Sequence, residues 1–414
     1  MEEIMRYIDE SMTILEICEK YPESIEFLES KGFKNLSNET MKNMLGKLSL
    51  KNALLTKKVN VETFIEILNE YVTQNRESTD ITMKKNNIVD EEITVMGLLP
   101  CPIRIPLLEG FTKFLEENPD IKVKYELKAA SAGLDWLKDD VIKANHPEKL
   151  ADIFISAGFD LFFEESLMGK FKKEHIFKDI TGIEKYNKDF QNDEISLKDP
   201  DGDYSMLGVV PAVFLVNKNM LGDREMPKSW ADLLKPEFRK SVSLPISDFD
   251  LFNSILININ KNYGEEGVVN LGRALLENLH PSQMVKSDKM KTNTPTVTIM
   301  PYFFTKMIKA DGPMVPVWPN DGAAISPIFM LTKKDKAEKI KKLVDYLAGE
   351  EVGTVFSHQG LFPTVNPNVD NRIEGKKFMW CGWDYIHNNN IGKILEKTKE
   401  IFFRASEELS LIHI

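Results

Sequence analysis

Two long extended apolar runs constrain this chain more than any other feature. MLGVVPAVFLVNKNML, from Met206 to Leu221, is too long and too broken by proline to be one helix. MVPVWPNDGAAISPIFML, from Met314 to Leu331, has the same character about 110 residues later. Between them SWADLLKPEF, SVSLP, LFNSILININKNYG, GVVNLGRALLENL, TVTIM and PYFFTKMIK alternate helix-like and strand-like patterns. Ahead of them ITVMG, PLLEGFTKFLEENPD, IKVKYELK, SAGLDWLKDDVIKA and ADIFISAG do the same. Strand, helix and strand at this spacing make an α/β layer with a largely parallel sheet. One such block enclosed in another and reached by two crossings is a domain inserted into a domain. The expected lobe 1 takes residues 92–210 and 320–414, the expected lobe 2 takes residues 211–319, and two strands pass between them as a hinge. Helical runs close the chain, among them KAEKIKKLVDYLAGEE and IGKILEKTKEIFFRASEEL.

Residues 1–73 read as a small all-helical domain. Ile14, Ile17, Ile25, Phe27 and Leu28 fall at near-helical spacings, Pro22 suits the first turn of a second helix, and Gly32 suits its stop. Val61, Phe64, Ile65 and Leu68 form the i, i+3, i+4, i+7 stripe of a packed helix. The polar, aperiodic stretch at residues 74–91 reads as a linker.

Charge and composition exclude several classes. The 53 basic and 64 acidic residues are spread without a basic stripe, so no nucleic-acid partner is expected. No apolar run reaches the roughly 18 residues of a membrane span. MEEIMRYIDESMTILEICEKY is acidic and helical in pattern, without the basic start and unbroken apolar centre of a secretory signal. Cys18, Cys101 and Cys381 are too few and too scattered for a disulfide framework or a closely spaced metal set. The expectation is a cytoplasmic protein with free thiols and no cofactor.

PKSWADLLKPEF followed by SVSLP and NYGEEGVVNLGRALLEN resembles extracellular solute-binding proteins of ABC importers, in which a Pro-x-Ser-Trp-x-Asp-Leu-Leu run opens the second lobe. WPNDGAAISPIFML resembles the return crossing of that family, and HQGLFPTVNPNV its late loop. The resemblance covers about residues 92–372, and the branch it is most similar to takes up ferric iron, thiamine or polyamines. It implies a two-lobed periplasmic-binding-protein-like (type 2) α/β fold, with a ligand held in the cleft and no catalysis. TILEICEKYPESIEFLESKGF with FIEILNEYV resembles a small helical domain of unknown function, found alone or ahead of iron-sulfur-repair and hybrid-cluster-associated proteins. Where that domain usually places cysteines, this chain reads KNLSNET, so the module is expected to dock a protein partner or regulate.

In a two-lobed α/β binder the loops at the carboxyl ends of the strands face the cleft. ITVMG would therefore deliver LLPCPIR to the cleft wall, with Pro100 and Pro102 pre-shaping the corner. The helix that follows would aim its amino terminus, which favours anions, at the cavity. Two further corners have similar composition, Ser131 to Gly133 and Ser156 to Gly158. Candidate ligand contacts on this wall are Pro100, Cys101, Arg104, Ser131, Gly133, Ser156 and Gly158. Each has a plainer alternative: Cys101 as a buried thiol, the serines as helix caps, Arg104 as a solvated surface residue. On the opposite lobe Asn293 and Thr294 precede a strand and Tyr302 follows it. The resemblance adds that ferric-binding members carry adjacent tyrosines at about this point. Here Phe303 follows Tyr302, so one phenol matches, and its ring could equally pack in a core. Asp248 sits where such proteins approach their ligand, or caps a helix. Asp321 and Gly322 read as a hinge turn, and Trp380 with Trp383 as a staple for the carboxyl-terminal tail.

The leading expectation is a module that captures a small molecule or ion by closing two lobes, working inside the cell as sensor, buffer or delivery protein. An enzyme using Cys101 is the alternative, although none of the six histidines stands at motif spacing to it. A pure interaction protein with a degenerate cleft is the third reading.

Overall fold

The structure, a computed structural model, describes residues 8–21, 24, 28, 33, 48–56, 61, 64–65, 68–69, 72, 93–129, 134–144, 146–246, 249–279, 281–309 and 311–408. Its chain divides into two units, Met1–Lys85 and Asn86–Ile414.

The first unit holds the helices α1 (Ile14–Lys20) and α2 (Leu50–Thr56). A reciprocal cap starts α1: the Thr13 hydroxyl accepts from the Glu16 amide at 3.2 Å, and the Glu16 carboxylate accepts from the Thr13 amide at 2.8 Å. Ile14, Ile17, Leu28, Leu54, Phe64, Ile65 and Leu68 are buried together, with Val61 partly buried against them. The predicted stripe is thus the core face of a small all-α domain. Pro22, Ile25, Phe27, Gly32 and the expected linker lie outside the described residues.

The main elements of the second unit follow in order. They are β1 (Ile93–Leu99), α3 (Cys101–Glu117), β2 (Val123–Ala129), α4 (Asp135–Lys143), β3 (Ile153–Ser156), α5 (Phe159–Phe163) and β4 (Ser205–Asn217). Next come β5 (Val242–Leu244), α6 (Phe249–Ala274, broken at Gly264), β6 (Leu275–Asn278), β7 (Val297–Pro301) and β8 (Met314–Val317). The chain continues through β9 (Ala323–Thr332), α7 (Ala337–Leu347), β10 (Phe378–Met379) and α8 (Ile391–Glu408). One sheet joins the strands in the order β2-β1-β3-β9-β4-β7-β5-β6, with β10 on β9 and β8 on β4.

Every residue of β4 and of β9 is buried, as expected of strands covered on both faces. The first extended run forms the single strand β4. The second does not: the turn at Pro319 to Gly322 splits it into β8 and β9. The run GVVNLGRALLENL is not wholly helical either, since its last residues leave α6 to become the edge strand β6.

Strand directions set which ends of the two strand sets meet. β1, β2 and β3 are mutually parallel, and β3 ends with Ser156 opposite Phe329 of β9. Phe329 in turn faces Met206 of β4. β5, β6 and β7 are also parallel, and β7 ends with Pro301 opposite Ala212 of β4. β3 runs in the direction of β4 and β7 runs against it. The carboxyl ends of the two strand sets therefore point at each other along β4, from the levels of Met206 and Ala212. Six residues of strand between those levels span roughly 20 Å.

The segment after Phe362 lies on β4 within that span. Gly208 bridges Thr364, and the Val209 amide donates to the Pro363 carbonyl at 2.9 Å. Glycine at 208 permits this approach, since a Cβ there would stand 2.9 Å from the Pro363 oxygen.

The SWADLL run clamps the turn before β9. Ser229 caps the short helix Trp230–Leu233 by accepting from the Asp232 amide at 3.1 Å. The Trp230 amide donates to the Asp321 carboxylate at 2.9 Å, and the Trp230 indole donates to the Gly322 carbonyl at 2.9 Å. The Tyr263 hydroxyl also donates to Asp321, at 2.7 Å. The Asp321 and Gly322 turn is therefore held from both the Trp230 helix and α6. The terminal helix α8 lies along α6, with Phe402 on Phe252 at a ring separation of 5.0 Å.

Candidate functional site

The first corner begins with an unusually close strand pair. A Cβ on Gly97 would stand 1.8 Å from the Ile155 carbonyl oxygen, so glycine lets β1 and β3 approach. β1 ends at Leu99, Pro100 occupies the cap position of α3, and no side chain caps the helix. The Pro-Cys-Pro stretch is thus the cap and first turn of α3 rather than a separate turn. Pro106 lies inside the helix and has no amide to offer the carbonyl of Pro102. Ile103 is fully buried and meets Gly360, whose Cβ would come within 2.4 Å of its side chain.

Arg104, one turn into α3, is only 6% exposed. Among the described residues no hydrogen bond or ion pair reaches its guanidinium.

At the second corner the Ser156 hydroxyl is buried and donates to the Ala157 carbonyl at 2.6 Å. Gly158 has a φ of +142° and packs against Leu134 and Leu161. Both residues sit at the carboxyl end of β3 as expected, but their polar groups are engaged within their own turn. The next amide, that of Phe159, donates to the Asp250 carboxylate of α6 at 2.9 Å.

From the opposite strand set, β7 delivers Tyr302 and Phe303. The Tyr302 ring meets Trp318 edge-on at 5.1 Å. The Phe303 ring stacks on Phe362 at 6.4 Å. The exposed Lys306 ammonium donates to the carbonyls of His358 at 3.3 Å and Gln359 at 3.0 Å. Lys306 and Phe303 thus join the residues after β7 to the segment that abuts Ile103.

Asn293 and Thr294 precede β7, as expected. They approach the amino end of β7, whereas the end that meets the first strand set is its carboxyl end at Pro301. Asn293 is exposed and donates to Glu277 at 2.5 Å, and the Thr294 hydroxyl donates to the Met290 carbonyl at 3.0 Å. Ser131, Gly133 and Asp248 lie outside the described residues, as does the Cys101 side chain. Sequence reasoning missed Lys306, Phe303, Phe362 and Asp250. For Asp250 an acidic residue in the first turn of a helix was an available signal; for the aromatic pair none was.

Other groups belong elsewhere. Trp383 is buried and donates to the Leu197 carbonyl at 2.9 Å, with Trp380 packed on Phe159, so this pair is a staple in the core. Cys381 is buried, and desolvation raises its thiol pKa to about 12. Asp199, Asp201 and His387 place ligand atoms within 4.8 Å of one another. The ammonium of Lys172 lies near them: burial lowers its pKa, while the charges of Asp199, Asp201 and Asp203 oppose that fall.

Residues 148–389 match the family described as bacterial extracellular solute-binding protein. Residues 8–65 match a domain of unknown function (DUF1858). Several solved structures share the fold. The apo ferric ion-binding protein A of Pasteurella haemolytica is 17% identical, with a TM-score of 0.54 over 75% of this chain and 98% of its own. The ferric binding protein of Campylobacter jejuni is 17% identical, with a TM-score of 0.52 over 77% and 99%. An ABC-transporter substrate binding protein from Agrobacterium tumefaciens is 17% identical, with a TM-score of 0.51 over 76% and 96%. No curated protein matches the chain.

Proposed function

The chain belongs to the bacterial extracellular solute-binding proteins, and on that premise we propose that it captures a small solute or ion in the crevice between its two strand sets, closing about β4 and β9. One observation carries this reading: the carboxyl ends of β1, β2 and β3 face those of β5, β6 and β7 along the shared strand β4. Loops at such ends can contact a ligand from both sides. A ligand that touches both walls binds the closed form better and so draws the equilibrium toward it.

Closure would form or strengthen the three bridges across the crevice, from Asp250 to the Phe159 amide, from Lys306 to the His358 and Gln359 carbonyls, and from Phe303 to Phe362. Two of the similar structures are ferric-binding by name. Iron is the less favoured cargo here, because Tyr302 supplies one phenol and its ring is engaged with Trp318.

In the same reading the protein works inside the cell as a sensor, buffer or delivery protein, and the first unit is its docking piece. The buried free thiols of Cys18 and Cys381 suit a reducing compartment. Cell fractionation checks the location.

Small-angle scattering checks the capture. The full chain is measured alone and with metals, oxyanions, amines and amino acids, and at least one solute is expected to shrink the radius of gyration. Profiles that stay identical across the whole panel overturn the proposal.

A further inference from the structure

We infer that the segment from Val355 to Phe362 is a two-register latch, a helix end that switches between the π-helical form held by Lys306 and an α-helical form that ends one residue earlier. The inference goes beyond the capture reading and does not depend on it.

The helix that begins at Glu350 is α-helical to Thr354 and π-helical from Val355 to Gln359. The Gly360 amide donates to the Val355 carbonyl at 3.1 Å, where an α-helix would pair it with Phe356. One extra residue is thus held inside the helix. Such turns are rare and occur mostly at functional positions.

The extra residue displaces the stop signal. Helices commonly end on a glycine in the left-handed conformation, with an apolar residue after it. HQGLF carries that signal, Gly360 as the stop and Leu361 as the apolar follower. In the structure these roles have slipped by one. Gly360 is right-handed, at φ −86°, and Leu361 takes the left-handed position, at φ +49°. Glycine adopts that conformation freely, whereas leucine is disfavoured there. The slip carries a second cost: Ser357 is 3% exposed, and its hydroxyl has no hydrogen-bond partner among the described residues. Expelling the extra residue returns the left-handed position to Gly360. The chain therefore encodes one register while the fold holds another.

Contacts from outside the helix hold the slipped register. The Lys306 ammonium donates to the carbonyls of His358 and Gln359, which belong to the set that a helix end leaves open. The Phe303 ring stacks on Phe362, whose amide donates to the Phe356 carbonyl at 2.9 Å. Ile103 of α3 fits against Gly360, where a Cβ would stand 2.4 Å from it. Lys306 and Phe303 both belong to the residues after β7. A movement that withdraws them lets the helix end relax, and a relaxed end no longer offers them the same carbonyls and ring. The two events are therefore coupled.

The test is NMR of the unliganded full chain with carbon-13 and nitrogen-15 labels in glycine and leucine, because backbone shifts report the sign of φ. Lys306→Met should move Gly360 toward the left-handed signature and take Leu361 out of it. Leu361→Ile makes the left-handed position worse and should move Gly360 the same way with Lys306 in place. Leu361→Asn tolerates that position and should keep Gly360 right-handed even when combined with Lys306→Met. Each single change that releases the latch should shift the ratio of registers by roughly fivefold. A Gly360 signal that stays right-handed in both Lys306→Met and Leu361→Ile overturns the inference, and the π turn is then a fixed part of the fold. A left-handed Gly360 in Leu361→Asn overturns it as well. Should Leu361→Ile not fold, unchanged signals in Lys306→Met are enough to overturn it. Scattering profiles that ignore every solute defeat the capture reading and leave the latch standing.

Discussion

A single carboxylate, Asp321, gathers donors that are far apart in sequence. It accepts from the Trp230 amide at 2.9 Å and from the Tyr263 hydroxyl at 2.7 Å, residues 91 and 58 positions away. Truncating it leaves two partly buried donors without an acceptor, which costs about 1–3 kcal/mol for each group left unmet. Asp321→Ala should therefore lose about 2 kcal/mol or more in urea unfolding. Asp232, one turn into the same short helix, offers a test by pH. Burial alone would raise its pKa, but the Lys235 side chain, the Lys228 amide and Ser229 outweigh that and bring it down to about 2 from 3.8. A depressed pKa contributes stability that is complete above the unfolded value and is lost as pH falls through the folded one. The stability gap between wild type and Asp232→Asn should thus be constant above about pH 4 and shrink steadily down to about pH 2. Acid titrations monitored by circular dichroism check this. The cap of Ser229 and Asp232 was legible in SWADLL because its partners are three residues apart. The Asp321 contacts were not, because nothing local marks which distant amide will meet a turn.

Secondary-structure elements were legible where their burial was uniform. β4 has no exposed residue, and its long apolar run announced it. The second run misled because Pro319 to Gly322 is a tight corner inside otherwise continuous apolar residues, and apolar content does not report a reversal. β6 was hidden for another reason: LLEN continues the amphipathic pattern of α6, and only the free edge of β5 makes it a strand. Glycines tie these strands to what lies beside them. Adding a methyl at Gly97 would drive it to 1.8 Å from the Ile155 oxygen, a backbone atom that cannot rotate away. Gly97→Ala should cost more than the 1–3 kcal/mol typical of overpacking, because β1 and β3 must separate. Gly208→Ala should fall within that range, since its neighbours are the Pro363 oxygen at 2.9 Å and the mobile edge of the Phe356 ring at 3.2 Å. Chemical denaturation of the two variants should rank them in that order.

At the scale of the whole molecule, the Pro100 and Ser156 corners could be placed at the carboxyl ends of β1 and β3 because a strand followed by a helix fixes which end the corner occupies. Asn293 and Thr294 fall at the amino end of β7, and the direction of that strand within the sheet is a property of the register, which no single segment carries. In the proposed reading, that register also separates the forces of closure from those of folding. Asp250 to Phe159 is a buried bond, whereas Lys306 is exposed and reaches two carbonyls. Hydrogen bonds from an exposed ammonium contribute on the order of 1 kcal/mol or less. That is small against global stability, but in the closure proposed above it is a sizeable share of the few kcal/mol that would separate open from closed forms. Lys306→Met should consequently leave the urea midpoint almost unchanged while enlarging the unliganded radius of gyration. Ligand affinity should weaken by up to about fivefold, the factor that 1 kcal/mol implies. A midpoint that falls as much as that of Asp321→Ala, with no change in scattering, would place Lys306 in the fold rather than in the closure.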